Sequence, residues 1–230
     1  MRRTLAQVLV ANGRVVTTYG YNGQSIKGSL KTTLSVLNDW KVDEIIVTEI
    51  NGSLESLCEL LSESANICRT PICAGGGIKS VDDVKHLLKA GADRVHITSL
   101  FTHCNWTELS DIVKFIGGQA IIWKLVYGEE YIRNTVEHFS EYISRRYNIV
   151  EDMNINEVLI WDLQSDGGRQ PPRIVDTSSL VNTSIIVGGG YGLYPPQEWH
   201  YKYSIALGSC LYLGENIVPT FNELMQLPLR

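Results

Sequence analysis

Thr70-Pro71-Ile72-Cys73-Ala74-Gly75-Gly76-Gly77-Ile78-Lys79-Ser80 runs on into Val81-Asp82-Asp83-Val84-Lys85-His86-Leu87-Leu88-Lys89-Ala90-Gly91-Ala92-Asp93-Arg94-Val95-His96-Ile97-Thr98-Ser99. Ile72 to Ala74 is a short apolar run, three glycines follow it, and Ser80 with Asp83 three residues on has the form of a capping box that opens a helix. Val81, Val84, Leu87 and Leu88 hold the helical period on one face, Gly91 ends the helix, and Arg94 to Ile97 reads as the next strand. The segment is one βαβ unit. Glycines at the C-terminal end of a strand let backbone N–H groups approach an anion, and the helix N-terminus behind them adds partial positive charge. Taken alone, the run fits a tight turn as well as a phosphate cradle.

A second copy lies farther along. Ser184-Ile185-Ile186-Val187-Gly188-Gly189-Gly190-Tyr191-Gly192 repeats the strand and its glycines, and Tyr203-Ser204-Ile205-Ala206-Leu207-Gly208-Ser209 repeats the pattern of Val95 to Ser99. The runs are 113 residues apart (Gly75 to Gly188), close to half of the 230-residue chain. Self-similarity at that distance predicts an α/β fold, a (β/α)8 TIM barrel built from two half-barrels with a phosphate site in each. The candidate phosphate contacts are Gly75, Gly76, Gly77, Thr98 and Ser99 in the first half, and Gly188, Gly189, Gly190, Gly208 and Ser209 in the second.

Working outward, Leu5 to Val10 reads as the first strand and Asn12-Gly13 as a hairpin turn into an extra ribbon over Arg14 to Tyr21. Helices are expected over Ser29 to Trp40, Leu54 to Leu61, Asn105 to Phe115 and Val136 to Ile149, the last with Phe139, Tyr142, Ile143 and Tyr147 inward. Further strands are expected over Glu44 to Ile50, Ala120 to Val126 and Glu157 to Leu163, with a short additional one over Tyr131 to Thr135. Alternating strands and helices imply a parallel sheet, and eight strand candidates favour closure into a barrel. Pro171-Pro172 and Pro195-Pro196 predict shortened helices in the last quarter, because proline is excluded from helix interiors.

One barrel domain over 1–230 accounts for the length. A net charge of -5 offers no basic footprint, so nucleic acid is an unexpected partner. Cys58, Cys68, Cys73, Cys104 and Cys210 are scattered and lack metal-ligand spacing, which suits a reducing compartment. Neither metal nor cofactor is implied, since no dinucleotide fingerprint is present either. No apolar run approaches the ~20 residues of a membrane span, and Met1-Arg2-Arg3 is not followed by a signal-peptide core, so a cytoplasmic protein without membrane attachment is expected.

Ala74 to Asp83 and Ala90 to Val95, with Asn12-Gly13-Arg14-Val15-Val16 after strand one and Asp166-Gly167-Gly168 after strand six, resemble the HisF family, the cyclase subunit of imidazole glycerol phosphate synthase. The similarity runs from about Arg3 to Gly214 and is thin after Arg169. It implies a glutaminase partner docked on the bottom of the barrel, ammonia entering through a ring of charges, and reaction at the top. Arg3, Glu44, Arg94 and Glu157 match that ring, and as charges at strand N-terminal ends they are expected to converge on the bottom opening. A solvated barrel bottom would explain such charges as well. By the same resemblance Asp93 matches a partner-interface acid and Gln119 a residue beside the channel entrance.

At the top the chain departs from the family. The two carboxylates expected after strands one and five fall on Leu9 and Val126, and the site lysine falls on Thr17. Leucine and valine transfer no proton. Glu49 and Asp166 are the remaining candidate acid–base residues, with capping or ion pairing as the alternative for each. The pattern resembles the divergent cyclase-like subunits of bacterial surface-polysaccharide pathways. It implies the synthase-type subunit of a glutamine amidotransferase, delivering ammonia to a sugar or sugar nucleotide. The alternatives are the cyclase reaction of histidine biosynthesis and a non-catalytic phosphate-binding barrel. Trp123, Lys124 and Trp161 are bulky for barrel strands, and Lys124 can be placed either among the outer helices or reaching upward.

Overall fold

The computed structural model describes residues 2–128, 136–168, 172–173, 176–190 and 203–212. β1 (Thr4–Ala11) turns at Asn12 and Gly13, both at positive φ, into β2 (Arg14–Tyr19), which pairs with β3 (Asn22–Gly28) as an antiparallel ribbon. Then follow α1 (Leu30–Asp39), β4 (Glu44–Glu49), α2 (Leu54–Ser64), β5 (Ile72–Gly75), α3 (Val81–Lys89), β6 (Arg94–Ile97), α4 (Ser99–Thr102) and α5 (Trp106–Ile116). The remaining elements are β7 (Ile121–Tyr127), α6 (Val136–Asp152), β8 (Glu157–Asp162), β9 (Ser184–Gly188) and β10 (Ser204–Leu207). β1 and β4 through β10 pair in parallel in that order. β10 returns to β1 through Thr4↔Ile205, Leu5↔Ala206 and Ala6↔Leu207, which closes the (β/α)8 barrel.

The local signals act where the sequence puts them. Ser29 and Ser53 cap α1 and α2, and Ser80 with Asp83 forms the capping box of α3. Gly91, at φ +109, ends that helix before β6. In α6, Ile143 and Tyr147 are buried and Tyr142 packs against the core, while Phe139 lies outside the described side chains. The expected strand over Tyr131 to Thr135 also lies outside the described residues. Of the last-quarter connection between β8 and β9, residues 176–183 form turns and extended chain; the helices expected to be short there fall mostly on residues outside those described.

Strand alternation separates two cores. Ala6, Val8, Val10, Ile45, Val47, Val95 and Trp123 face outward to the helices, where they meet Leu34, Leu57, Leu61, Val84, Leu87, Leu109 and Ile112. Leu5, Ile46, Cys73, Ile122, Leu159, Ile186 and Ala206 face inward and fill the barrel lumen. Burial of each such aliphatic side chain is worth about 1.5–3 kcal/mol.

The two halves repeat in their backbone. A Cβ on Gly76 would lie 2.3 Å from the carbonyl oxygen of Glu49, the last residue of β4. One on Gly189 would lie 2.3 Å from that of Asp162, the last residue of β8. Both glycines hold positive φ, so the loops after β5 and β9 lean directly on the ends of the neighbouring strands β4 and β8.

Candidate functional site

At the N-terminal ends of the strands the four expected charges meet. Arg3 pairs with Glu44 at 2.8 Å and with Glu157, and Arg94 pairs with Glu157 at 2.7 Å and with Glu44 at 3.2 Å. Both acids touch both bases, so the ring is closed. Burial raises the Glu44 carboxyl and the two guanidinium groups oppose that rise. Immediately inside lies the apolar layer of Leu5, Ile46, Cys73 and Ile122. Asp93 and Gln119 are exposed at this end. Asp93 accepts from the Ile72 N–H at 2.8 Å, a contact that ties β5 to the loop entering β6.

At the opposite end a cavity of about 590 Å³ opens among the loops. Gly76, Gly77, Thr98 and Ser99 line one side, Glu49 and Asn51 another, and Lys124, His96, Thr48 and Val126 form the floor. The helix N-terminus expected to help hold the anion is already occupied: Ser80 Oγ accepts from the Asp83 N–H, and Glu108 from the Val81 N–H at 3.1 Å. What faces the cavity on this side is the backbone of Gly76 and Gly77 with Thr98 and Ser99, and the start of α3 stands aside.

Glu49 is buried in the wall of this cavity. Its Oε1 accepts from the Asn51 N–H at 3.0 Å and the Gly52 N–H at 2.6 Å, and Oε2 has no hydrogen-bond partner among the described residues. Burial pushes the carboxyl above its ordinary range, against the pull of those N–H groups. Asp166, the other candidate acid, sits elsewhere. It accepts from Thr18 Oγ1 at 2.9 Å and from backbone of the ribbon at Tyr21 and Gly20, and it does not line the large cavity. Its raised carboxyl, again chiefly a burial effect, anchors the β2–β3 ribbon across the barrel top. The structure does not bring Glu49 and Asp166 together as a pair.

The second glycine run meets an obstacle. A Cβ on Gly188 would lie 2.4 Å from the Trp161 ring, and one on Gly208 3.1 Å from it. Trp161 points into the lumen and takes the room that the glycines leave. Beside Gly208 and Ser209 the described residues leave a cavity of about 10 Å³, enough for roughly one water. Of the phosphate contacts expected at Gly188, Gly189, Gly190, Gly208 and Ser209, Gly189 and Gly190 hold positive φ, and residues 191–202, which follow them, lie outside the described residues.

Sequence allows Lys124 two placements, and the structure turns it inward. It is almost fully buried at the cavity floor, donating to Thr48 Oγ1 at 2.9 Å and Gln7 Oε1 at 3.3 Å. Thr48 also meets Gln7 Nε2 at 2.8 Å and His96 Nε2 at 3.0 Å. Burial lowers the Lys124 ammonium to about 7. Burial, then the nearby Lys124 charge, puts His96 well below the usual histidine value, so the imidazole is neutral at pH 7. One signal pointed here: Lys124 is two residues from Val126, the position aligned with an inward-facing family carboxylate, and residues two apart share a face.

Among the described residues no three His, Cys, Asp or Glu side chains gather in a way that could hold a metal ion, and no helix is long and apolar enough to cross a membrane.

Fold and site together define a closed (β/α)8 barrel with a salt-bridged ring at one mouth and a glycine-walled cavity at the other. Residues 5–198 match the family described as Histidine biosynthesis protein, and the chain belongs to that family as a HisF-like member. It is 28% identical over 207 residues to imidazole glycerol phosphate synthase subunit HisF of Sulfurisphaera tokodaii, covering 83% of this chain and 81% of that one. It is also 26% identical over 208 residues to the HisF subunit of Metallosphaera sedula and 28% over 204 residues to that of Chlorobium phaeovibrioides, with 83% of this chain and 80% of each relative covered.

Proposed function

We propose that this chain is the ammonia-accepting synthase subunit of a glutamine amidotransferase of the imidazole glycerol phosphate synthase type. A glutaminase partner would dock at the ring end, with Asp93 and Gln119 in its footprint, and ammonia would pass along the lumen to a phosphorylated acceptor held at Gly76, Gly77, Thr98 and Ser99. The observation that carries this reading is the coaxial arrangement: a closed ring of Arg3, Glu44, Arg94 and Glu157 at one mouth and the 590 Å³ cavity at the other. An uncharged molecule can cross the apolar layer between them, where an ammonium ion would lose its hydration without compensation.

The relatives' names support the imidazole glycerol phosphate reaction as the chemistry at the top. In that reading Glu49 replaces the proton-transferring role that Leu9 and Val126 cannot perform. A second reading rests on those same two residues. Both are buried and apolar, and Val126 lines the cavity, which favours a different acceptor, a sugar or sugar nucleotide amidated in polysaccharide assembly.

The test is turnover of the barrel coexpressed with its glutaminase, driven by glutamine or by free ammonia. Glu44→Ala and Arg94→Ala should lower the glutamine-driven rate and glutaminase stimulation while leaving the ammonia-driven rate within about twofold. Unchanged glutamine-driven transfer in both variants would sink the channel reading and leave a phosphate-binding barrel. Complementation of a histidine auxotroph lacking HisF separates the acceptors: growth supports the cyclase reaction, and no growth from a complex active on sugars supports the second reading.

A further inference from the structure

Lys124, on the cavity floor, is used by neither reading above. We propose that Lys124 is a covalent catalyst that captures the aldehyde or ketone carbonyl of the phosphorylated acceptor as a Schiff base, which ammonia then displaces. This rests on the proposed function for its second half, the displacement by ammonia; the capture itself stands alone.

The geometry points to this role in three ways. First, the Nζ atom lies on the floor of the same cavity whose wall holds Gly76, Gly77 and Ser99, so a short acceptor anchored by its phosphate can present a carbonyl to it. Second, its hydrogen-bond partners among the described residues are the uncharged Thr48 and Gln7, and the Arg3, Glu44, Arg94 and Glu157 charges close on one another at the far mouth. An ion pair would hold the amine protonated; hydroxyl and amide partners do not. Third, Thr48 Oγ1 lies between Nζ and the neutral His96 Nε2, at 2.9 and 3.0 Å, a hydrogen-bonded route for the proton that the amine gives up.

Other groups face the lysine from every side. Thr48 on β4 links it to the neutral His96 on β6, and Cys73 on β5 is held as a thiol by burial. Trp161 on β8 and Tyr21 in the ribbon turn place their rings 5.7 and 5.9 Å from Nζ and favour its cationic form. Asp166 adds a weaker attraction of the same sense. Burial outweighs these, and at neutral pH a substantial fraction of Lys124 is free amine, the nucleophilic form.

The chemistry balances without a redox partner. The Nζ lone pair attacks the carbonyl carbon, the C=O π bond opens, and proton transfer gives a carbinolamine. The hydroxyl takes a proton from water in the cavity and itself leaves as water as the C=N bond forms. Ammonia adds to that carbon, a proton moves from the incoming nitrogen to Nζ, and the bond to Nζ breaks. Lys124 is regenerated and the proton returns to solvent. The net change is carbonyl plus ammonia to imine plus water. A protonated Schiff base is a stronger electrophile than the parent carbonyl, so the lysine accelerates capture of a dilute amine.

The full-length barrel, without ammonia or partner, is treated with glyceraldehyde phosphate and cyanoborohydride at about pH 7 and mapped by peptide mass spectrometry. Lys124 should gain the reduced adduct at least about tenfold faster than Lys31 and Lys85, which are exposed on helices outside the cavity and have no phosphate anchor beside them. Inorganic phosphate should slow it by competing for the glycine loop. Lys124→Met and Lys124→Arg should lose the adduct while keeping the circular dichroism of the parent. Adducts confined to surface lysines in the unmutated protein overturn the inference whether or not the variants fold. Because trapping needs no ammonia, an unlabelled Lys124 in a barrel still active with ammonia removes the lysine and leaves the proposed function standing. A labelled Lys124 in a barrel with no ammonia-driven turnover supports the capture and removes the amination.

Discussion

The tops of the two half-barrels begin from the same backbone device and end differently. In each, a glycine at positive φ leans on the carbonyl of the last residue of the preceding strand, Gly76 on Glu49 and Gly189 on Asp162. In the first half that residue keeps a carboxylate oxygen unpartnered beside a cavity of about 590 Å³. In the second, Asp162 is consumed: it accepts from the Gln164 and Arg173 N–H groups, from Ser165 Oγ, and from Arg173 Nε and Nη2 at 2.8–3.0 Å. The Trp161 ring packs against Gly188 and Gly208. A strand-plus-glycine pattern therefore makes a loop, and the neighbouring side chains decide whether the loop encloses a site or a core.

The largest effect should come from the second half. Asp162→Ala leaves five donor groups, three of them on Arg173, without their acceptor and should cost about 4 kcal/mol in urea unfolding. Burial alone would raise the Asp162 carboxyl, but the Arg173 and Ser165 hydrogen bonds outweigh it and lower it. Its stabilisation is therefore present above about pH 4 and lost as pH falls through the depressed native value, and the variant's acid unfolding should be flatter there. An equal loss from Glu49→Ala would erase the contrast between the halves.

Gly76→Ala comes next, at about 3 kcal/mol, because the new Cβ would press on the Glu49 backbone and the φ of +117 is strained for any L residue. Binding of inorganic phosphate by calorimetry should vanish with it. Lys124→Met should act in the opposite direction and stabilise the barrel by about 2 kcal/mol near pH 7. The native lysine holds its proton less tightly than the unfolded chain does, so native stability rises as pH climbs from about 7 toward ~10.4, and the variant's advantage should shrink over that window. Thermal melts of the pair across this range read the difference directly.

Gly77→Ala should cost only about 1 kcal/mol, since nothing lies within 4 Å of the added Cβ and the φ of +83 is its sole penalty. A loss as large as that of Gly76→Ala would mean the cradle is packed more tightly than described. Smallest of all, Glu49→Gln should shift stability by under ~0.5 kcal/mol, because the amide oxygen still accepts from Asn51 and Gly52. Burial raises the native Glu49 carboxyl, so its contribution falls as pH rises through the native value, opposite in sign to Asp162, and this dependence should disappear in the variant.

Much of this was legible in the chain because it depends on local chemistry. The Ser80–Asp83 box, the Asn12-Gly13 turn, the glycine endings and the alternation of strand with helix each act over a few residues, and together they specify a two-half barrel. The ring was legible too, since Arg3, Glu44, Arg94 and Glu157 open their strands and parallel strands bring such positions to one mouth. Asp166 needed the fold to be placed: its burial against Thr18 depends on where the ribbon folds back, a contact 148 positions away.

Amino-acid order by itself thus determined where strands begin and end, which charges share the lower mouth, and that the first glycine loop faces the upper one. Only tertiary structure decided that Trp161 packs under the second glycine run and that Lys124 points into the lumen. The reason is that a barrel strand is apolar on both faces, so inward and outward residues look alike until closure fixes their parity. Whether a glycine leaves a cavity or merely admits an indole depends on a neighbour from another strand, here Trp161.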